Sequence, residues 1–467
     1  MNKNNLLVLA LLTGICILSF FLAIMPHINY KFFLHEDEWF HAGVAKNIVN
    51  GNFFVDPATN SKFLNLEPAW HLLLAFFALI LKFLNFPLIN MVYLPAFFHV
   101  LAVLSVFLFV SKLFGKMKAL IAAVLVAIIP SNIAFGGPIF LKPTNLSLIF
   151  IPLALFFAFE LSNFKKIYNF IFLLLITLFL AFAHPPTAII LFFALFVYGI
   201  FNWKEKKKAL SIFFVILITI ISLIVFHFSH LDKIRLNLSE LSFLWASIDK
   251  IISYNFIFTI FFVAGFFLLA RESTKRKEIW CLLVTASFLL AIIFLATLGI
   301  IFVLPFHRVY IPLFLLMAII SSNGIGFVYE FSKRKSKLIS LVILFVILLS
   351  IFLIFFVNLP PMLNLPESSE EYKNFLWIKE NIPEDKIVLI DPRKARAFNF
   401  ITERKVFAAS FFDPNPEFER RYLEAINFLQ NNCKDIEFLL KNNISVVYSE
   451  RCENSLTKIH NKTYLVS

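Results

Sequence analysis

Charge is what this sequence has least of. Only 15% of its 467 residues are Asp, Glu, Lys or Arg, against 60% hydrophobic residues, 63 of them Phe. A soluble domain typically carries about 25% charged residues and about half apolar ones, so a single large soluble core is excluded. Strict apolar–polar alternation in short segments is also missing, which excludes a transmembrane β-barrel. The four cysteines, Cys16, Cys281, Cys433 and Cys452, show no C-x-x-C spacing, so a structural zinc site built on thiolates is not expected.

What is present is a series of apolar runs from Leu6 to Val357, each near the length of about 20 residues that an α-helix needs to cross a bilayer. The first, Leu6 to Met25, is long for a secretory signal and lacks a small-residue cleavage site after it, so it reads as a retained span. The net charge of +13 would suggest nucleic acid in a soluble protein. Here the basic residues cluster in short loops that orient spans, so no nucleic-acid partner is expected.

Five such clusters occur, around Lys112–Lys118, Lys165–Lys166, Lys204–Lys208, Arg271–Lys277 and Lys333–Lys337. The positive-inside rule assigns all five to the cytoplasm. Two apolar runs separate each neighbouring pair. Their weakly basic connections, at Gly136–Asn145, Ala183–Thr187, Phe228–Lys250 and Pro305–Val309, then become outer turns. Parity leaves one run over: if both Pro68–Phe83 and Pro87–Val110 crossed, every later basic loop would fall outside. The shorter run, Pro68–Phe83, is expected to lie on or dip into the outer leaflet. The expectation is about eleven spans, a cytoplasmic amino terminus, an outer loop over residues 27–87 and an extracytoplasmic tail.

The tail begins where composition changes, after Asn358. A capped helix over Ser368–Asn381 and short apolar runs Lys386–Asp391 and Ile444–Ser449 predict strands alternating with helices. Further helices are expected at Glu417–Asn431 and Asp435–Lys441. The fold class expected is therefore an all-α polytopic membrane domain over residues 1–358 and a small α/β soluble domain over 359–467. Cys433 and Cys452 both fall in that outward domain, where a disulfide is permitted but two free thiols are as compatible with the sequence. The sequons Asn443-Ile444-Ser445 and Asn461-Lys462-Thr463 carry little weight, because such tripeptides arise by chance.

The chemistry-bearing stretch is His35-Glu36-Asp37-Glu38-Trp39-Phe40-His41. Phe40, Val44 and Ile48 recur at helical spacing as one apolar stripe, and Asp37 and His41, four apart, share a face. Three adjacent carboxylates raise one another's pKa, favouring one basic enough to accept a proton. Acidic residues at a helix start also stabilise its dipole, the reading preferred for Glu36. A divalent cation such as Mg2+ or Mn2+ on Asp37, Glu38 and His41 is a further expectation.

These residues resemble the outer loop of GT-C superfamily membrane glycosyltransferases, which take sugars from polyprenyl phosphates. Protein O-mannosyltransferases and aminoarabinose transferases are similar in this region. Asp37-Glu38 matches their acidic pair, and Asp37–Phe54 resembles its continuation into a small-residue helix. Pro68–Leu74 resembles the proline-led helix that follows, although Glu67-Pro68 stands where the family usually has a Pro-Pro pair preceded by Lys or Tyr. Ser111–Gly115 and the Ala134–Asn145 loop extend the similarity over roughly the first 190 residues. Trp377–Pro383 is similar to outward tails of some prokaryotic members. The Trp-Trp-Asp motif of oligosaccharyltransferases is absent, which argues against transfer of a whole glycan to asparagine.

The resemblance implies Asp37 as general base, with Glu38 beside it, and inversion at the anomeric carbon. It also implies a polyprenyl-phosphate-linked sugar donor, a lipid, glycan or protein acceptor, and contact with membrane lipids. Outer cations that could meet the donor phosphate are few: Lys142, His184 and Arg308, with His307 and His71 behind them, and His41 on the acidic helix. Each could instead be an interfacial residue reaching lipid headgroups. The competing class is a transporter or flippase, which would carry ionisable groups inside its spans; here they gather at the outer ends. A non-catalytic assembly subunit, in which Asp37 would be replaceable, is the third.

Overall fold

The computed structural model describes residues 3–63, 65–132, 136–162, 167–227, 256–272, 276–298, 300, 304, 306–357, 366, 368–410, 416–452 and 456–466. The expected outer connection 228–250, the basic residues at 165–166 and the boundary at 358–365 lie outside them. Two compact bodies emerge. One comprises the described parts of 1–29, 93–228 and 238–361; the other comprises those of 30–92, 229–237 and 362–467.

The first body is helical: α1 (Lys3–Ile24), then, after α2 and α3 of the second body, α4 (Leu94–Phe114), α5 (Lys116–Ala127), α6 (Leu146–Phe159), α7 (Ile167–Ala183), α8 (Pro185–Phe201), α9 (Lys206–His227), α10 (Phe256–Glu272), α11 (Lys277–Thr297), α12 (Tyr310–Lys333) and α13 (Lys337–Val357). Among the described residues, five helices are long and apolar enough to cross a membrane: Asn5–His27, Leu88–Phe114, Lys206–Phe226, Lys277–Thr297 and Tyr310–Lys333. Pro143–Phe159, Ile167–Ala183, Pro185–Phe201 and Lys337–Leu353 are shorter apolar helices. The chain is a membrane protein, and the expected count of eleven crossings exceeds what length and composition establish.

Burial separates the middle of this body from its rim. In α12, 89% of the most apolar window is buried, against 22% in α9. Exposed residues such as Phe214, Leu217 and Ile221 of α9 and Leu338, Val342 and Phe345 of α13 form apolar surface that only lipid can cover. α12 packs on α5, α10, α11 and α13, most tightly where glycines remove side chains. A Cβ on Gly265 would lie 2.2 Å from the Ile320 carbonyl oxygen, and one on Gly324 2.6 Å from that of Phe261. Small residues let membrane helix backbones approach in this way. Gly115, at φ 88°, makes the reversal between α4 and α5, a conformation that costs glycine nothing.

The second body joins residues 30–92 to the tail. Its helices are α2 (Glu36–Val49), α3 (Pro68–Phe83), α14 (Ser369–Asn381), α15 (Ala395–Thr402), α16 (Pro416–Gln430) and α17 (Ile436–Lys441). Its strands are β1 (Ile387–Leu389), β2 (Lys405–Val406), β3 (Ile444–Tyr448), β4 (Thr457–His460) and β5 (Thr463–Leu465), in the order β2-β1-β3-β5-β4. β2, β1 and β3 run parallel, and β3, β5 and β4 antiparallel. Ser368 caps α14, accepting from Glu371 N–H at 3.1 Å, and Asp435 caps α17. The expected helices and the two expected strands are thus present. α15, β2 and the β4–β5 hairpin, turned through Lys462 at φ 57°, were not anticipated. Cys433 and Cys452 form a disulfide with Cα atoms 5.2 Å apart, both fully buried.

Residues 30–92 are built into this body rather than hanging from it as a separate loop. Val406 N–H donates to Ala58 O at 2.9 Å, extending the β2 edge. Trp39 packs its ring 5.3 Å from Phe400 and 4.9 Å from Phe33. Arg396 donates to Asp56 at 3.0 Å and to Ser410 O at 3.1 Å, with its guanidinium 4.4 Å above the Phe40 ring. Asp56 also accepts from Ala58 N–H, Thr59 N–H and the Thr59 hydroxyl. Each charge of the buried pair thus has a further hydrogen-bond partner.

Candidate functional site

The acidic helix α2 starts where the sequence places it. His35 is the residue before it, extended at φ −146°, and its Nδ1 accepts from Asp37 N–H at 3.1 Å. The same nitrogen lies 3.3 Å from Asp37 Oδ2. The two roles exclude each other, since a cap needs a bare nitrogen and a carboxylate partner needs a protonated one. The His35 tautomer and the Asp37 carboxylate are therefore linked. Asp37 retains some solvent access, its side chain 17% exposed.

Its two acidic neighbours are placed differently. Glu38 is fully buried and accepts from Leu34 N–H at 2.8 Å, reaching back over the helix start. This is the reciprocal half of a capping box displaced by one residue, so Glu38 also has a structural duty. Burial pushes the Glu36 carboxyl above the usual carboxylate range, and the adjacent Asp37 charge adds to the effect. Ser410, His35 and Arg396 pull it the other way. Of the three carboxylates, it is Glu36 in which a raised affinity for protons is evident.

The expected apolar stripe is present: Phe40, Val44 and Ile48 pack with Phe63. That packing sets α2 against the segment entering α3 and brings three ligand-type side chains together. His41 Nδ1 lies 2.9 Å from His71 Nε2, and with a Glu67 carboxylate oxygen these atoms fall within 4.8 Å of one another. Asn65 Oδ1 lies 2.7 Å from His71 Nδ1 and accepts from Glu67 N–H at 3.2 Å. Burial, and next the neighbouring His41, push the His71 imidazole well below the ordinary histidine value. The grouping differs from the expected cation set: His41 belongs to it, whereas Asp37 and Glu38 do not, and Glu67 and His71 take their places. Glu67 and His71 are four apart at the start of α3, a spacing that puts both on one helix face. That signal is in the sequence; the pairing with His41 across 30 residues is not.

The three expected cationic contacts belong to the first body. Lys142 is buried, precedes the turn Pro143–Asn145, and holds its ammonium 5.5 Å from the Phe140 ring centre. His184 is fully buried and caps α8, with Nδ1 2.7 Å from the Thr187 hydroxyl and accepting from Thr187 N–H. Arg308 and His307, on the turn Phe306–Arg308, are near enough for their charges to act on His184.

A further concavity, of 370 Å3, lies in the tail at the carboxyl ends of β1 and β3. Its lining includes Asp391, Arg393, Lys394, Tyr448, Glu450 and Arg451. The strand order reverses there, the position at which open α/β sheets bind ligands. No sequence motif marked it.

Solved structures with a similar fold span nearly all of this chain. The oligosaccharyltransferase of Archaeoglobus fulgidus in the apo form is similar with a TM-score of 0.67 and 13% identity, over 94% of this chain and 69% of that one. The A. fulgidus enzyme AglB in complex with an inhibitory peptide and a dolichol-phosphate gives 0.66 and 14%, over 96% and 70%. ArnT from Cupriavidus metallidurans bound to undecaprenyl phosphate gives 0.60 and 9%, over 95% and 96%. The A. fulgidus enzyme has also been solved in complex with Zn and sulfate. At these identities the likeness is one of fold. Neither a protein-family model nor a curated protein sequence matches the chain.

Proposed function

We propose that this chain is a membrane glycosyltransferase that moves a sugar from a polyprenyl-phosphate donor to an acceptor at the extracytoplasmic face, with Asp37 as general base. The observation that carries the reading is the fold likeness, over 94–96% of the chain, to enzymes solved with dolichol-phosphate and with undecaprenyl phosphate. Asp37 stands on the helix whose sequence resembles the acidic outer loop of that superfamily.

In this reading Asp37 takes the proton of the acceptor hydroxyl as it attacks the anomeric carbon, on a helix start that His35 caps by accepting from Asp37 N–H. The sugar's bond to the phosphate oxygen breaks and the polyprenyl phosphate leaves with the electron pair. One displacement inverts the anomeric carbon. Lys142, His184 and Arg308 are the candidates for donor-phosphate contact, because a cation that meets the departing phosphate stabilises its charge. Glu38 supports the helix start, and His41 belongs with the neighbouring histidine cluster.

The membrane arrangement goes with it: about eleven crossings, a cytoplasmic amino terminus, residues 1–358 as the membrane domain and 359–467 as an extracytoplasmic one. The Cys433–Cys452 disulfide supports an oxidising compartment for the tail. α3 exposes Leu72, Phe76, Leu79 and Phe83 along one side, which suits a helix lying in the outer leaflet. The acceptor is a lipid, glycan or protein hydroxyl. Purified protein in lipid nanodiscs, given a labelled polyprenyl-phosphate sugar and an acceptor panel, should release polyprenyl phosphate with formation of glycosylated product. A donor carried across the bilayer but left uncleaved would instead identify a flippase.

A further inference from the structure

The His41–Glu67–His71 cluster stands apart from the transfer chemistry just described and is built as a ligand set. The amide of Asn65 is oriented by two donors, because its oxygen accepts from Glu67 N–H and faces His71 Nδ1 at 2.7 Å. His71 therefore carries its proton on Nδ1 and presents a bare Nε2 lone pair to His41 Nδ1, 2.9 Å away. Two imidazole lone pairs cannot face each other at that distance, so a proton on His41 or a cation must lie between them. Glu67 adds a third ligand-type atom, all three lying within 4.8 Å of one another, which a histidine–histidine hydrogen bond alone does not require.

We propose that His41, Glu67 and His71 bind a divalent transition metal of the zinc class. Zinc takes His nitrogens at about 2.0–2.1 Å, so two such nitrogens sit about 3.3 Å apart in a tetrahedral site. Opening the present pair by a few tenths of an ångström is enough. Two imidazoles and one carboxylate leave a fourth position for water or a substrate oxygen, the pattern of open rather than purely structural zinc sites. The donor set disfavours Mg2+ and Mn2+, which prefer oxygen ligands. Asn65 does what an outer-shell partner does for a ligating histidine, fixing its tautomer and ring plane. The site is also rigid before any metal arrives: His41 is 7% and His71 2% exposed. Phe40, one residue from His41, is packed on Phe63 and under Arg396. Of the three ligands, His41 stands one helical turn from Asp37 along α2.

The test uses the full chain, purified in detergent, stripped with a chelator and titrated with Co2+ and Zn2+ in separate experiments. About one equivalent should bind, with the visible absorption of four-coordinate Co2+ and displacement by Zn2+. His71→Ala and His41→Ala should abolish that spectrum. Asn65→Ala, which removes no ligand, should weaken binding on the order of 10- to 100-fold. The spectrum of the unaltered protein needs no variant to fold, and an unchanged thermal melt of each apo variant separates lost binding from lost structure. Octahedral Co2+ spectra, or binding equal in wild type and the His41→Ala, His71→Ala double variant, would overturn the proposal. Because the readout is the metal itself, its failure leaves the transfer reading standing, and loss of transfer activity would not remove the metal.

Discussion

The contact that ties the outer-loop segment to the tail makes the sharpest stability prediction. Arg396 and Asp56 are 2% and 3% exposed at their side chains and bonded at 3.0 Å. Removing one partner of a buried pair leaves the other charge without compensation, at a cost of about 3–5 kcal/mol. Arg396→Met keeps much of the volume over Phe40 and strands the Asp56 carboxylate among its remaining donors. Asp56→Asn retains an oxygen for Ala58 and Thr59 but strands the guanidinium. Each should lower the melting temperature of this body by roughly 10 °C, at about 2–4 °C per kcal/mol for its size. The double variant removes both charges and should cost much less than the sum. The assay is a double-mutant cycle of thermal unfolding in detergent, with protease cleavage between residues 50 and 67 as a local readout. Additive effects, or single variants that move the midpoint by about 2 °C or less, would refute the pair as the link.

Further outcomes are expected. Gly265→Leu should disrupt the packing of α10 on α12 and cost at least about 1–3 kcal/mol, seen as lost monodispersity in detergent. Gly14→Leu, with nothing within 4 Å of its Cβ position, should behave as wild type. Glu403 is depressed below its ordinary 4.5: burial would raise it, but Lys46 and Lys379 outweigh burial. Its stabilisation is present above that value and lost as pH falls through the lower folded one, so Glu403→Gln should flatten the fall in melting temperature below pH 4.5. Glu36 is raised, so its charge opposes folding as pH rises through the folded value; Glu36→Gln should raise the melting temperature at pH 7, with the gap closing near pH 4.5. Replacing Cys433 and Cys452 by Ser together should cost about 2–4 kcal/mol, and unreduced wild-type digests should yield their two peptides joined.

Much of the architecture was legible because its causes are local. Apolar runs, the helices expected at Ser368–Asn381 and Asp435–Lys441, and the Phe40–Val44–Ile48 stripe are properties of single segments. Helices formed at each of them, though only five are long and apolar enough to cross a membrane among the described residues. What could not be read was long-range pairing. Asp56 and Arg396 are 340 residues apart, and no periodicity joins them. α15 and β4–β5 are too short for a pattern to stand out. The site divided the same way. The position of Asp37 on α2 follows from its neighbours in sequence, whereas the regrouping of His41 with Glu67 and His71 depends on how α3 returns against α2. The expected increase in carboxylate basicity fell on Glu36 because burial, set by tertiary packing, outweighs adjacency.

The central claim is glycosyl transfer with Asp37 as base, and one comparison tests it most directly. Wild type and Asp37→Asn, reconstituted with the same labelled polyprenyl-phosphate sugar and acceptor, are compared for product formed per enzyme, with donor binding measured alongside. A positioned general base contributes about 10²- to 10⁴-fold, so the account predicts a loss of that order with donor binding retained. Equal transfer by both proteins would contradict the role of Asp37, and no transfer from any polyprenyl-phosphate sugar would contradict the function itself.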